Sequence, residues 1–260
     1  LIFNSGQPWN LTANGTIFKT DSKGIIPNLL ERWYSERKEM QKKAKDNQAS
    51  GNKIDFEYWD KRQLVKKINL NSLYGAILNQ GSRFYDQRLG QSTTLTGRCI
   101  ARHMASQLNK IIAGDYDHRG EAIVYGDTDS AYFSAYPLLK EQIKQGEIQW
   151  NKDTAIKYYD AVCEDVNNTF PGFMKRAFNV PKSVGKVIAA GRETCATAGI
   201  FIKKKRYAIM VYDNEGFRED SNDKQGKVKA MGLDLKRSDT PEYMQNYHME
   251  LLVLTLTAGT

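Results

Sequence analysis

EAIVYGDTDSAYF, residues 121–133, is the stretch that decides how this chain reads. Apolar residues run up to Tyr125, Gly126-Asp127-Thr128-Asp129 follows, and strand-forming residues return after Ser130. The pattern is that of a β-hairpin with a polar tip. Side chains alternate between the faces of a strand, so Asp127 and Asp129 are expected to point the same way. Two converging carboxylates repel unless a cation sits between them, and hard cations such as Mg²⁺ prefer oxygen ligands. The other reading is a solvated turn, because Gly, Asp and Ser are common turn residues. The apolar flanks favour the first, since buried arms hold the tip against a core.

Upstream, KKINLNSLYGAIL sits in a stretch with helical character, about residues 53–79. Lys67, Asn71 and Tyr74 are spaced i, i+4, i+7 and fall within an arc of about 60° on one helix face. Gly75 follows, so that face offers a cation, an amide, a ring and then a bare backbone that something can approach. Cation and amide suit phosphate oxygens, and ring and backbone suit a flat base pair. An ordinary solvated helix with a tolerated glycine is the alternative, although glycine inside a helix costs roughly 1 kcal/mol relative to alanine. A polar, basic helix is expected at about 28–46, opened by Pro27 and carrying Arg37, Lys38, Lys42 and Lys43.

Around these lie a first hairpin with turn signals at Asn14-Gly15 and Ser22-Lys23-Gly24, and a loop over DNQASGN, 46–52. A third helix is expected at about 92–113, and a fourth from about 151, closing near Pro171-Gly172 or after it. KVIAAGRETC, GIFIKKKRYAIMVYD and KVKAMGLD read as strands. A last helix starts at Thr240-Pro241-Glu242 with Thr240 as its cap. Helices and antiparallel hairpins alternate irregularly, so the fold class is α+β.

The 260 residues suffice for one large domain or two smaller ones. No stretch approaches the roughly 18–20 apolar residues of a membrane span, and LIFNSGQPWN at the start has no signal-peptide pattern. Leu1 at one end and LLVLTLTAGT at the other read as cut ends. Cys99, Cys163 and Cys195 form no C-x-x-C pair, and His103, His118 and His248 are scattered, which argues against structural zinc and fits a reducing compartment. Net charge is +8, which suits a polyanionic partner.

KKINLNSLYGA followed by YGDTDS resembles the family B replicative DNA polymerases. Their second motif, Lys-x-x-x-Asn-Ser-x-Tyr-Gly, is matched by Lys67, Asn71, Ser72, Tyr74 and Gly75, and their third in full by Tyr125 to Ser130. A further element, Lys-Lys-Arg-Tyr, stands at Lys204, Lys205, Arg206 and Tyr207, in family order. NGTIFKTDSKGIIP, RFYD and KAMGLDLKRSDTP are similar to polymerases of tailed bacteriophages. The resemblance implies a palm, an antiparallel sheet with helices, over residues 1–24 and 79–237, two-helix fingers over 25–78, and the start of a helical thumb over 238–260. It implies two Mg²⁺ ions held at Asp127, Thr128 and Asp129, with Asp129 the direct ligand and Asp127 an essential neighbour whose contact is less constant. Arg37, Lys67 and Asn71 would hold the incoming triphosphate, with Lys67 a proton donor to pyrophosphate. Tyr74 and Gly75 would lie against the nascent base pair. Lys204, Lys205, Arg206 and Tyr207 would grip the primer end, and Glu193 matches a supporting acid. Primer–template DNA, deoxynucleoside triphosphates and a sliding clamp are the implied partners. The implied place is the cytoplasm, the host cell's for a phage protein.

Two departures stand out. The first motif, an Asp followed by Ser-Leu-Tyr-Pro, is absent, so the chain is expected to be inactive without an N-terminal piece, in the same polypeptide or a separate subunit. On the first fingers helix the family's lysine one turn after the arginine is replaced by Gln41. A non-catalytic nucleic-acid-binding module and an RNA-templated or RNA-making polymerase are the competing readings. Acids beside DNA count against the first, because they repel phosphate unless a metal intervenes.

Overall fold

The structure is a computed structural model and describes residues 8–220, 225–233, 235 and 239–258. In chain order the elements are β1 (Trp9–Leu11), β2 (Ile17–Lys19), α1 (Ile25–Ala49), α2 (Lys53–Leu78), α3 (Gln87–Ala113), β3 (Ile123–Asp127), β4 (Ser130–Phe133), α4 (Tyr136–Lys144), α5 (Lys152–Phe178), α6 (Lys182–Gly185), β5 (Thr194–Lys203), β6 (Arg206–Asn214), β7 (Phe217–Arg218), β8 (Lys227–Met231) and α7 (Glu242–Thr257). Helices and antiparallel strands are mixed without a βαβ repeat, as the α+β reading expects. The chain divides into two compact units, Leu1–Cys99 with Met174–Val180, and Ile100–Phe173 with Pro181–Thr260. No helix among the described residues is long and apolar enough to cross a membrane.

In the first unit β1 and β2 pair antiparallel, and Gly15, at φ +84°, makes the turn between them. The α1–α2 hairpin is joined across its helices by Lys66 paired with Glu36, Lys43 over the Trp59 ring and Lys66 over the Trp33 ring. Asn52 caps α2 by accepting the Asp55 N–H. Asp86, just before α3, accepts the Arg88 backbone N–H at 2.8 Å and the Arg88 side chain at 2.7 Å. The Arg88 side chain, with its N–H, holds the Asp86 carboxyl down to about 2. A depressed carboxyl stabilises the fold above its unfolded value and loses that contribution as pH falls through its folded one. Acid should therefore loosen the start of α3 between pH 3.8 and about 2. Carboxyl NMR titration checks this, and Asp86 titrating at the ordinary aspartate value would refute it.

In the second unit β6 is the central strand, with β5 on one side and β7 and β8 along the other. Its residues from Tyr207 to Asp213 are buried without a break. The alternation explains why. Tyr207, Ile209 and Val211 pack with Tyr125, Tyr132 and Phe201 on one face. Ala208 and Met210 pack with Leu252 and Leu256 of α7 on the other. A second core gathers Leu108 of α3 and Val162, Val166 and Phe170 of α5 against Ile123, Ala131 and Phe133. The β3–β4 hairpin thus feeds two cores.

A bulge makes this possible. Ile123 pairs with Phe133 but Tyr125 pairs with Tyr132, so two residues on β3 oppose one on β4. Ile123 then faces the helices and Tyr125 faces β6. Buried Asn109 holds the approach to this hairpin, donating to the Asp115 carbonyl at 2.8 Å and accepting the Ala122 N–H at 3.0 Å.

Four expectations are corrected. KVIAAG is not a strand, because β5 begins only at Thr194. The side-chain amide of Asn167 brackets Ala190, accepting its N–H at 2.6 Å and donating to its carbonyl at 2.9 Å, and so stands in for a strand partner. Thr240 does not cap α7. Pro241 occupies that position without a side-chain bond, and the Thr240 carbonyl accepts from Gln245. α3 starts at Gln87, earlier than expected, because Asp86 caps it there. α1 extends beyond both expected ends, into the segment read as a loop. α5 runs through Pro171 to Phe178, with Phe170, Met174 and Phe178 buried at helical spacing. That burial offsets a cost of about 3 kcal/mol for an internal proline. The expected boundary at 237–238 lies outside the described residues.

Candidate functional site

The sequence places two acids at a hairpin tip, and the structure puts them on different footings. Asp127 ends β3, pairs with Ser130 and is half-buried, on the face of Tyr125. Asp129 is exposed and belongs to the two-residue turn Thr128-Asp129. Strand alternation therefore does not extend to Asp129. The turn, not the pleat, sets its direction, which corrects the argument from alternation. Thr128 has φ +52°, a region costly for a β-branched residue, and such strain gathers at functional sites. Its hydroxyl donates to Asp127 Oδ1 at 3.1 Å, and the Ser130 hydroxyl donates to the Asp127 carbonyl at 3.1 Å. Neither acid forms an ion pair with a described residue. No cluster of three His, Cys, Asp or Glu able to hold a metal occurs among the described residues.

The second hairpin carrying expected site residues is β5–β6. Lys204 and Lys205 form its two-residue turn, with Lys203 paired to Arg206. Lys204, Lys205 and Arg206 are exposed. Lys205 has φ +61° and its N–H donates to Tyr125 Oη at 2.7 Å. Gly232, at φ +64°, lies so close beneath that a Cβ there would fall 1.9 Å from the Lys205 carbonyl oxygen. The sequence groups Tyr207 with the primer-gripping residues, whereas the structure buries it, 3% exposed, with its hydroxyl 2.9 Å from that of Tyr132. Tyr207 thus supports the turn from below.

Glu193 is exposed and accepts from Lys229 at 3.4 Å, a solvated ion pair. The buried charge in GRETC is its neighbour Arg192, paired with buried Asp213 and with Asp160 at 2.7 Å. Sequence reading passed over Arg192, since nothing local signals that a partner 21 residues away will bury it.

On α2, Lys67, Asn71 and Gly75 are exposed and Tyr74 is half-buried. Lys66 and Lys67, adjacent in sequence, differ sharply. Lys66 is taken by Glu36 and the Trp33 ring, while Lys67 pairs with no described residue. Arg37 of α1 is half-buried and its Nε donates to Gln63 of α2 at 3.2 Å. Gln41 is half-buried on the same helix.

A Cβ on Gly75 would meet nothing within 4 Å. Internal packing therefore gives no reason for glycine there. Gly75→Ala should raise the unfolding free energy by up to about 1 kcal/mol. Melting measurements check this, and an unchanged or lowered stability would refute it.

The family model described as DNA polymerase family B matches residues 7–146, more than half of the chain. The DNA-directed DNA polymerase of Escherichia phage RB69 is 30% identical over 217 residues, covering 76% of this chain and 22% of that protein. DNA polymerase 1 of Pyrococcus abyssi is 26% identical over 245 residues, covering 94% of this chain and 25% of that protein. The solved family B DNA polymerase of Pyrobaculum calidifontis aligns over 95% of this chain and 27% of its own at 16% identity, with a TM-score of 0.46, too low to argue a shared fold. The chain thus spans about a quarter or less of the relatives it matches. With that match, and with its two polymerase motifs on a helix and a hairpin tip, the chain belongs to DNA polymerase family B.

Proposed function

We propose that this chain carries the catalytic chemistry of a DNA-directed DNA polymerase, the template-directed transfer of deoxynucleotides onto a primer 3′-hydroxyl. One observation carries the reading. Two carboxylates stand at a hairpin tip on an aromatic base, in a chain of net charge +8, with no cationic partner among the described residues. Neither acid adds an ion pair among the described residues, and carboxylate oxygens suit a hard cation. Asp127 and Asp129 are hard oxygen donors and fit a divalent ion as part of a ligand set, with Thr128 shaping the turn between them.

When bound, two Mg²⁺ ions would supply Lewis-acid activation of the primer hydroxyl and neutralise charge on the departing pyrophosphate. Lys67 Nζ would pair with triphosphate oxygens and give a proton to the pyrophosphate, with Asn71 and Arg37 as further donors. Tyr74 and the open backbone at Gly75 would bound the nascent base pair. Lys204, Lys205 and Arg206 would hold primer phosphates, with Tyr207 setting their turn. Glu193 is the supporting acid of this reading, at the other end of β5 from that turn. In family terms residues 1–24 and 79–237 form palm, 25–78 fingers and 238–260 the start of the thumb. Two carboxylates are few for a complete two-ion site, and no cluster of three such ligands occurs among the described residues, so a further carboxylate from an N-terminal piece, in the same polypeptide or a separate subunit, belongs to this reading. A sliding clamp is a partner of the assembled polymerase.

Primer extension with Mg²⁺ and deoxynucleotides tests this, comparing the chain alone with the chain completed by a fragment bearing an Asp-Ser-Leu-Tyr-Pro motif. Extension only in the completed sample, lost with Asp129→Ala, is expected. Extension by the chain alone would misplace the metal site. Primer–template binding without extension in either sample would make the chain a binding module.

A further inference from the structure

Tyr125, Tyr132, Phe201 and Tyr207 form one ring cluster, with centroids 5.3 to 5.8 Å apart. Three of the four are tyrosines, although phenylalanine would fill nearly the same volume. A hydroxyl in such a cluster is costly unless bonded. Here each is bonded, and both bonds join the same two pieces. Tyr125, two residues before Asp127, accepts the Lys205 N–H at 2.7 Å. Tyr132 of β4 meets Tyr207 at 2.9 Å, next to Arg206. Rings alone leave a packed interface free to slide, whereas hydrogen bonds are directional and set its register. Burial first, and then the bond to Tyr207, push the Tyr132 hydroxyl well above the ordinary tyrosine range, so it keeps its proton at neutral pH.

We infer that Tyr132 is a positioning residue, which through Tyr207 sets the Lys204–Lys205–Arg206 turn against the Asp127–Asp129 tip, and so places a primer strand relative to the carboxylates. The inference rests on the polymerase reading above. Tyr132 touches neither primer nor metal in this arrangement. Its effect passes entirely through the turn, where Lys205 has φ +61° and Gly232 packs close to the Lys205 carbonyl.

Tyr132→Phe keeps the ring and deletes one oxygen. By fluorescence anisotropy, the Kd of this chain for a labelled primer–template duplex should rise about three- to tenfold, the scale of one buried hydrogen bond. Hydrogen exchange at the Lys205 amide should accelerate by a similar factor. In a Lys204→Ala/Lys205→Ala background, itself weakened for DNA, Tyr132→Phe should add nothing, because the groups it positions are gone. A general loss of stability would instead add its effect in both backgrounds. The inference is overturned if Tyr132→Phe binds duplex like wild type while the lysine variant is weakened, or if the two effects multiply. If the lysine substitutions leave DNA affinity unchanged, the polymerase reading of the turn fails instead. The Lys205 amide then decides alone whether Tyr132 positions it, and unchanged exchange overturns that too.

Discussion

Asp129→Ala should lower nucleotidyl transfer by at least about three orders of magnitude, near 4 kcal/mol of transition-state stabilisation, the scale of one lost metal contact. The protein should remain folded. Asp129 is exposed, sits in a two-residue turn and makes no ion pair with a described residue. The hairpin it tops is held elsewhere, by the ring cluster on one face and by Ile123, Ala131 and Phe133 on the other. The Asp129 side chain makes no hydrogen bond or ion pair with a described residue, so the melting temperature should hold. Melting curves without metal, beside single-turnover extension in the completed polymerase, read both quantities. A variant that loses stability in step with activity would make Asp129 a structural residue and would undo the metal-site reading. Asp127→Ala should be as damaging to catalysis, but its half-buried carboxylate also accepts from Thr128, so a modest loss of stability should accompany it.

The second large effect separates two adjacent lysines. Lys67→Ala should reduce single-turnover incorporation about 100- to 1000-fold, the cost of removing one charged donor from a developing anion. Its melting temperature should barely move, because Lys67 is exposed and pairs with no described residue. Lys66→Ala should do the reverse. Lys66 ties α2 to α1 through Glu36 and the Trp33 ring, and its loss should lower the melting temperature while the incorporation rate stays within a few-fold. The same pair gives a pH signature. Lys66, through its hydrogen bond, holds the Glu36 carboxyl below its ordinary value. The Glu36 contribution is therefore present above pH 4.5 and lost as acid reaches the lowered value. Parallel kinetics and melting of the two variants decide the matter. If both lysines behave alike, the face of Lys67, Asn71 and Tyr74 is a solvated surface and not a triphosphate site.

Much of the candidate site was legible because it rests on local rules. Asn71 and Tyr74 follow Lys67 on one helix face by the 3.6-residue repeat alone, and Gly75 announced itself by its cost in a helix. The hairpin arms of YGDTDS followed from apolar residues on either side of a turn tetrad. The direction of Asp129 did not follow, because a residue with φ +52° at Thr128 interrupts the alternation on which the sequence argument relied. Tyr207 was misjudged for a related reason. Its neighbours Lys204, Lys205 and Arg206 are polar and exposed, but strand alternation turns Tyr207 inward onto Tyr132. Which face of a strand meets a core is settled by what packs there.

By itself the sequence determined most of the element types, the α1–α2 hairpin, the two acids at a turn and the motif residues that place the chain in its family. These depend on spacing within about ten residues, where helix and strand geometry leave few choices. Tertiary structure alone decided which of Lys66 and Lys67 pairs with a described residue, that KVIAAG is held by Asn167 in place of a strand partner, and that Tyr125 and Tyr132 bind the carboxylate hairpin to the basic turn 75 to 80 residues away. Each of those outcomes is a contest for a partner distant in the chain. A hydrogen bond or ion pair across such a gap leaves no periodic trace in the residues that form it.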